Sequence, residues 1–151
     1  MNKFIVTVGC PGSGKSTWAD EYCATRPYVL RLERDKFREA IFGSRQAYQE
    51  HPLHYSNKSR VVTPAMLGAL RAGYHWYKEV LLSDTGIHWR NVEPFYNELR
   101  IQPTVKLFDL SLKTLLERNS KRPEEHKVPE SVIQNFYADM QTPGNQWWKG
   151  W

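Results

Sequence analysis

The chain has 151 residues, of which 40% are hydrophobic, enough for one ordinary domain with a single substantial core. Lys and Arg total 21 against 16 Asp and Glu, a formal charge of +5 that suits a polyanionic partner. No uninterrupted apolar stretch approaches the roughly 20 residues that span a bilayer, no repeat or low-complexity run occurs, and two cysteines, Cys10 and Cys23, make no disulfide framework. No membrane association is expected, and a reducing cytoplasm is the expected compartment.

The apolar start, Met1 to Val8, is too short for a signal segment with its cleavage site. Within it, Phe4 to Val8 reads FIVTV, a β-branched run ending at glycine, as in a strand buried on both faces of a parallel sheet. Lys15 to Ala24 predicts a helix and Tyr28 to Leu32 a second strand, closing a strand, helix, strand unit. Asp35 to Ile41 predicts a short helix that stops near Gly43, and the polar stretch from Ser44 to Lys58 gives no usable signal.

Thr63-Pro64 reads as an N-cap followed by proline at the first helical position, opening a helix through Met66 and Leu70 towards Trp76. Glu79 to Asp84 predicts a third strand with an acidic end, Asn91 to Leu99 a helix, Thr104 to Asp109 a fourth strand, and Leu112 to Asn119 and Pro129 to Met140 two more helices. Strands alternating with helices predict an α/β domain with a mostly parallel sheet flanked by helices on both faces. The tail from Thr142, TPGNQWWKGW, carries three of the six tryptophans without periodicity. Its expected role is to dock rings on the domain surface, and the alternative is a base-stacking or subunit contact.

Gly9-Cys10-Pro11-Gly12-Ser13-Gly14-Lys15-Ser16 satisfies G-x-x-x-x-G-K-[ST] between a strand and a helix, which predicts a P-loop, with Thr17 continuing it. Glycines let backbone N–H groups close around phosphate oxygens, Lys15 places a point charge on the β and γ phosphates, and Ser16 is a ligand for Mg²⁺. The expected nucleotide is ATP. Asp35, after the second strand, is positioned to orient an attacking hydroxyl and take its proton, with capping of the next helix as the bland alternative. Arg34 and Arg38 beside it suit an acceptor phosphate, with surface charges of no further role as the equal alternative. Asp84 at the third strand's end suits Mg²⁺, directly or through water, or the capping of a turn. Arg118 and Arg122, before Pro123, suit a lid on the triphosphate, although a helix C-terminus also favours basic residues. The histidines, His51, His54, His75, His88 and His126, show no metal-ligand spacing.

The run Gly9 to Trp18, Arg34-Asp35 with Arg38, Ser83-Asp84-Thr85, Phe108-Asp109, Arg118 to Arg122 and Val128-Pro129 together resemble the 5′-kinase domain of the phage T4-type polynucleotide kinases, over nearly the whole chain. The resemblance implies transfer of the ATP γ-phosphate to the 5′-hydroxyl end of DNA or RNA, in nucleic-acid repair within a host bacterium's cytoplasm. It implies Asp35 as general base, Arg38 and Thr85 on the acceptor phosphate, Arg122 on the donor and Val128 near the acceptor base. Two-domain members of the family carry a 3′-phosphatase domain with a D-x-D-x-T motif, which this sequence lacks, so kinase activity without phosphatase activity is expected. The tail and the Gly86-Ile-His-Trp89 stretch depart from the family pattern. A small-molecule P-loop kinase and a nucleotide-dependent end-binding module are the rival expectations.

Overall fold

The computed structural model describes residues 1–43 and 58–151. The uninformative polar stretch, with His51 and His54, lies outside the described residues up to position 57. Four strands, β1 (Lys3–Gly9), β2 (Val29–Leu32), β3 (Glu79–Leu82) and β4 (Pro103–Phe108), form a sheet in the order β2-β3-β1-β4, and every pairing is parallel. The described helices are α1 (Lys15–Ala24), α2 (Arg34–Phe42), α3 (Thr63–Gly73), α4 (Trp89–Leu99), α5 (Leu112–Ser120) and α6 (Glu130–Gln141).

Side chains alternate across each strand, so the register divides the core in two. Val6 lies between Leu82 and Val105. It shares its face with Phe4, Val80 and Leu82, and there Met66 and Leu70 of α3 and Phe95 of α4 pack, all fully buried. Each such side chain contributes about 1.5–3 kcal/mol of burial, so this face holds most of the domain together. Ile5 and Leu81 point the other way, where they pack with Val29 of β2 and with Ala19, Trp18 and Tyr22 of α1. β1 is covered on both faces, hence its unbroken apolar run. β4 is an edge strand, which leaves Lys106 exposed and Leu107 43% exposed.

Because all strands run the same way, the segments after β1, β2 and β3 open on one edge of the sheet. The chain leaves β1 towards β2 on one side and reaches β4 on the other, which makes the end of β1 the crevice where such sheets take ligands. Two local expectations need correction. Thr63 is not an N-cap: a π-helical turn over Lys58–Val62 feeds α3, and Val62 before it is already helical with no capping side chain. Strand β3 ends at Leu82, so Ser83 and Asp84 lie beyond the strand's end.

Candidate active site

The loop from Cys10 to Gly14 turns tightly at the end of β1. Gly12 and Gly14 sit at φ 81° and 99°, a left-handed backbone that side chains resist and that lets the loop turn tightly into α1. Lys15 is 9% exposed and donates from Nζ to the Cys10 carbonyl at 2.7 Å, so its charge lies under the loop. Burial pushes Lys15 down to about 8, while Cys10, Asp84, Asp35 and Glu33 oppose that shift, which puts the three carboxylates within electrostatic reach of it. The Ser13 hydroxyl is buried and has no hydrogen-bond partner among the described residues. An orphan donor and a desolvated ammonium in one concave loop fit a phosphate chain. Ser16 and Thr17 are exposed at the start of α1.

Ser16 donates from Oγ to Glu33 Oε1 at 3.1 Å. Glu33 is 8% exposed, and burial pushes its carboxyl up against the opposing Arg31, 3.4 Å away, and the Ser16 hydroxyl. Arg31 also donates to Ser83 Oγ and pairs with Asp20. The sequence reading passed over Glu33. The available signal was its place as the first residue after β2, the position that Asp84 nearly occupies after β3.

Asp35 lies in the first turn of α2, which starts at Arg34, so it does not cap that helix. Its side chain is 79% exposed and meets Arg38 Nη1 at 2.7 Å, presenting a carboxylate and a guanidinium together. Arg34 is turned inward instead: its Nη1 donates to Asp84 Oδ2 at 2.5 Å, its Nη2 to the Asn91 carbonyl at 2.7 Å, and its guanidinium lies 5.5 Å from the Phe95 ring. The Arg34 backbone N–H donates to Asp84 Oδ1 at 2.8 Å, so Asp84 caps α2 from across the sheet. With both oxygens engaged, Asp84 faces Arg34 rather than an open cation position. Burial pushes its carboxyl up, and Arg34 works against that shift.

Arg118 and Arg122 both reach the loop. Arg118 Nη1 lies 3.5 Å from the Gly12 carbonyl, and Arg122 Nη2 comes within 3.5 Å of the space beside the Gly12 Cα. Val128 is placed differently from the expectation that it adjoins the acceptor base. It is 9% exposed within the main core, and Asn119 pins its backbone from both sides, at 2.7 Å to the carbonyl and 3.0 Å from the amide, so packing accounts for its position. Thr85 accepts a hydrogen bond on its carbonyl from the Gly9 N–H at 2.9 Å, which ties the segment after β3 to the start of the loop.

The two departures noted in the sequence meet in space. Trp147 donates from Nε1 to the Gly86 carbonyl at 2.8 Å and lies 5.2 Å from the Trp89 ring, while Trp151 sits 5.6 Å from Trp89 and 5.1 Å from Tyr96. The tail docks its rings on the start of α4, as the plainer expectation had it.

A family model described as an AAA domain matches residues 4–143. Among solved structures, a chain of the Pnkp1/Rnl/Hen1 RNA repair complex aligns with a TM-score of 0.74 and 26% identity, over 93% of this chain and 44% of that one. A sugar kinase from Janibacter sp. aligns at a TM-score of 0.66 and 16% identity, covering 94% of this chain and 79% of that one. Deoxyadenosine kinase from M. mycoides with bound dATP aligns at 0.59 and 15% identity, over 99% and 88%. The chain thus spans less than half the length of the RNA-repair chain it matches, and the two kinases share its fold.

Proposed function

Because the chain belongs to the AAA domain family and carries a P-loop kinase fold, we propose that it is an ATP-dependent kinase that phosphorylates the 5′-hydroxyl end of DNA or RNA. The observation that carries this reading is the exposed Asp35 paired with the largely buried Arg38 at the sheet edge that also holds Lys15, a carboxylate for a hydroxyl proton beside a guanidinium for the phosphate that follows it in a strand. The match to an RNA-repair assembly supports a polynucleotide acceptor.

In this mechanism the P-loop amides and Lys15 hold the β and γ phosphates, and Arg118 and Arg122 close over them to neutralise charge on the transferred group. Asp35 orients the 5′-hydroxyl and takes its proton as the new O–P bond forms and the bond to the β-phosphate oxygen breaks, releasing ADP. Arg38 and Thr85 steady the acceptor phosphate, and Asp84 holds Arg34 and the start of α2 in place. The Ser16 hydroxyl and Glu33 form an all-oxygen donor set suited to Mg²⁺, which would supply charge neutralisation between the phosphates.

The test is transfer of labelled γ-phosphate from ATP to matched 5′-hydroxyl and 5′-phosphorylated oligonucleotides. Label is expected on the 5′-hydroxyl ends alone, and Asp35→Asn is expected to lower the rate about 10²–10⁴-fold with ATP affinity nearly unchanged. Labelling of a sugar or nucleoside but no oligonucleotide would replace this reading with a small-molecule kinase.

A further inference from the structure

Three consecutive carbonyls beyond β3 are each held by a different part of the chain. Thr7 Oγ1, inside β1, donates to the Asp84 carbonyl at 2.7 Å. The Gly9 N–H, where β1 becomes the P-loop, donates to the Thr85 carbonyl at 2.9 Å. The Trp147 indole N–H, from the tail, donates to the Gly86 carbonyl at 2.8 Å. The first two bonds fasten this segment to β1 up to the point where the P-loop begins, and the third fastens it to an element more than sixty positions away.

The segment has little freedom to adopt another shape. Gly86 is buried at φ 63°, and a Cβ there would lie 2.1 Å from the Thr7 carbonyl oxygen. One side of its peptide is therefore fixed by β1 and the other by Trp147. The indole ring is held independently, 5.2 Å from Trp89 and 6.0 Å from Trp148, so its donor is aimed before any ligand arrives. Two residues upstream, Asp84 carries the carboxylate that fixes Arg34 and α2, the helix presenting Asp35 and Arg38.

We propose that Trp147 is a positioning residue for the acceptor, a tail-borne donor that sets the Asp84–Gly86 segment and through it the acceptor face of the site. The proposal rests on the reading of Asp35, Arg38 and Thr85 as the acceptor side. It assigns the tail a part in phosphoryl transfer that ring docking alone does not require. Removing the indole donor leaves a buried carbonyl unpaired, and that peptide relaxes towards other partners.

Trp147→Phe keeps an aromatic ring against Trp89 and removes the N–H. Trp151→Phe is the control, since Trp151 shares the same aromatic cluster through Trp89 and Tyr96. With ATP and a 5′-hydroxyl oligonucleotide each varied while the other is saturating, Trp147→Phe is expected to raise the acceptor KM about fivefold to tenfold and leave the ATP KM within about twofold, while Trp151→Phe changes neither. In the same proteins, amide hydrogen exchange at Gly9, the donor to Thr85, is expected to quicken in Trp147→Phe alone. Equal behaviour of the two variants in both measurements overturns the proposal. Should the unmodified chain label no oligonucleotide, the acceptor reading fails by itself. Gly9 exchange then still decides the positioning role: faster in Trp147→Phe alone upholds it, and unchanged exchange overturns it.

Discussion

The P-loop and the segment proposed for the acceptor, Asp84 to Gly86, lie side by side at the end of the sheet, yet they are built differently. The turn of the P-loop is closed by local contacts, Lys15 reaching back to Cys10 and the Ser13 N–H bonding to the Cys10 carbonyl, while Arg118 and Thr85 meet only its rim, at Gly12 and Gly9. The acceptor segment is assembled from distant parts, with Thr7 to Asp84 spanning 77 positions, Trp147 to Gly86 spanning 61 and Arg34 to Asp84 spanning 50. A phosphate chain is the same in every nucleotide, so a short, self-contained loop suffices to bind it. An acceptor varies from one kinase to another, and its site is correspondingly tied to the fold as a whole.

The largest way to break this contrast is at Gly86. Gly86→Ala places a Cβ on the Thr7 carbonyl and imposes φ 63° on a side-chain residue, so a loss of about 2–4 kcal/mol is expected in urea unfolding. Nucleotide affinity of the folded fraction should hold to within about twofold, because the donor loop makes its own contacts. An equal collapse of nucleotide binding under conditions that keep the variant folded would show that the two regions are one unit.

The same contrast explains what was legible in the sequence. The P-loop was readable because its residue types and spacing are the site, and β1 was readable because its burial on both faces produces an unbroken apolar run. Asp84 and Arg34 are both legible as candidates but their pairing is not, since nothing in the linear order says that a carboxylate after β3 will cap a helix that starts fifty positions earlier. Glu33 escaped because an acidic residue among charged neighbours looks like a solvated surface until burial is known. The β4 edge carries an exposed Leu107 that periodicity would have placed inside. Val128 entered through resemblance, and its burial beside Asn119 depends on how α5 and α6 pack.

A second, smaller effect sharpens the donor half. Lys15 sits at about 8 in the free protein against an ordinary 10.5, and a bound triphosphate restores its proton affinity. Nucleotide affinity should therefore be flat below about pH 8 and fall roughly tenfold per pH unit above it, with proton uptake on binding measured by calorimetry in buffers of different ionisation heat. Folding stability moves oppositely. Between about 8 and 10.5 the unfolded chain holds a proton that the folded chain has lost, so this group makes stability rise with pH across that window. Lys15→Met should flatten both trends, and a variant that kept the affinity slope would place the titrating group elsewhere.

The smallest effect tests where the two halves touch. Sequence pattern points to Asp84 for the divalent cation, whereas geometry sets Glu33 against the Ser16 hydroxyl and commits Asp84 to Arg34. Glu33→Gln preserves an acceptor for Ser16 and removes the charge, so the Mg²⁺ concentration for half-maximal activity should rise by about threefold to tenfold with maximal rate largely recovered at high Mg²⁺. Asp84→Asn should act differently, loosening Arg34 and α2 and lowering acceptor use at every Mg²⁺ concentration. A Mg²⁺ titration of both variants separates the cases. If Asp84→Asn shifts the titration and Glu33→Gln does not, the cation is organised from the end of β3, and the donor site depends on the acceptor segment after all.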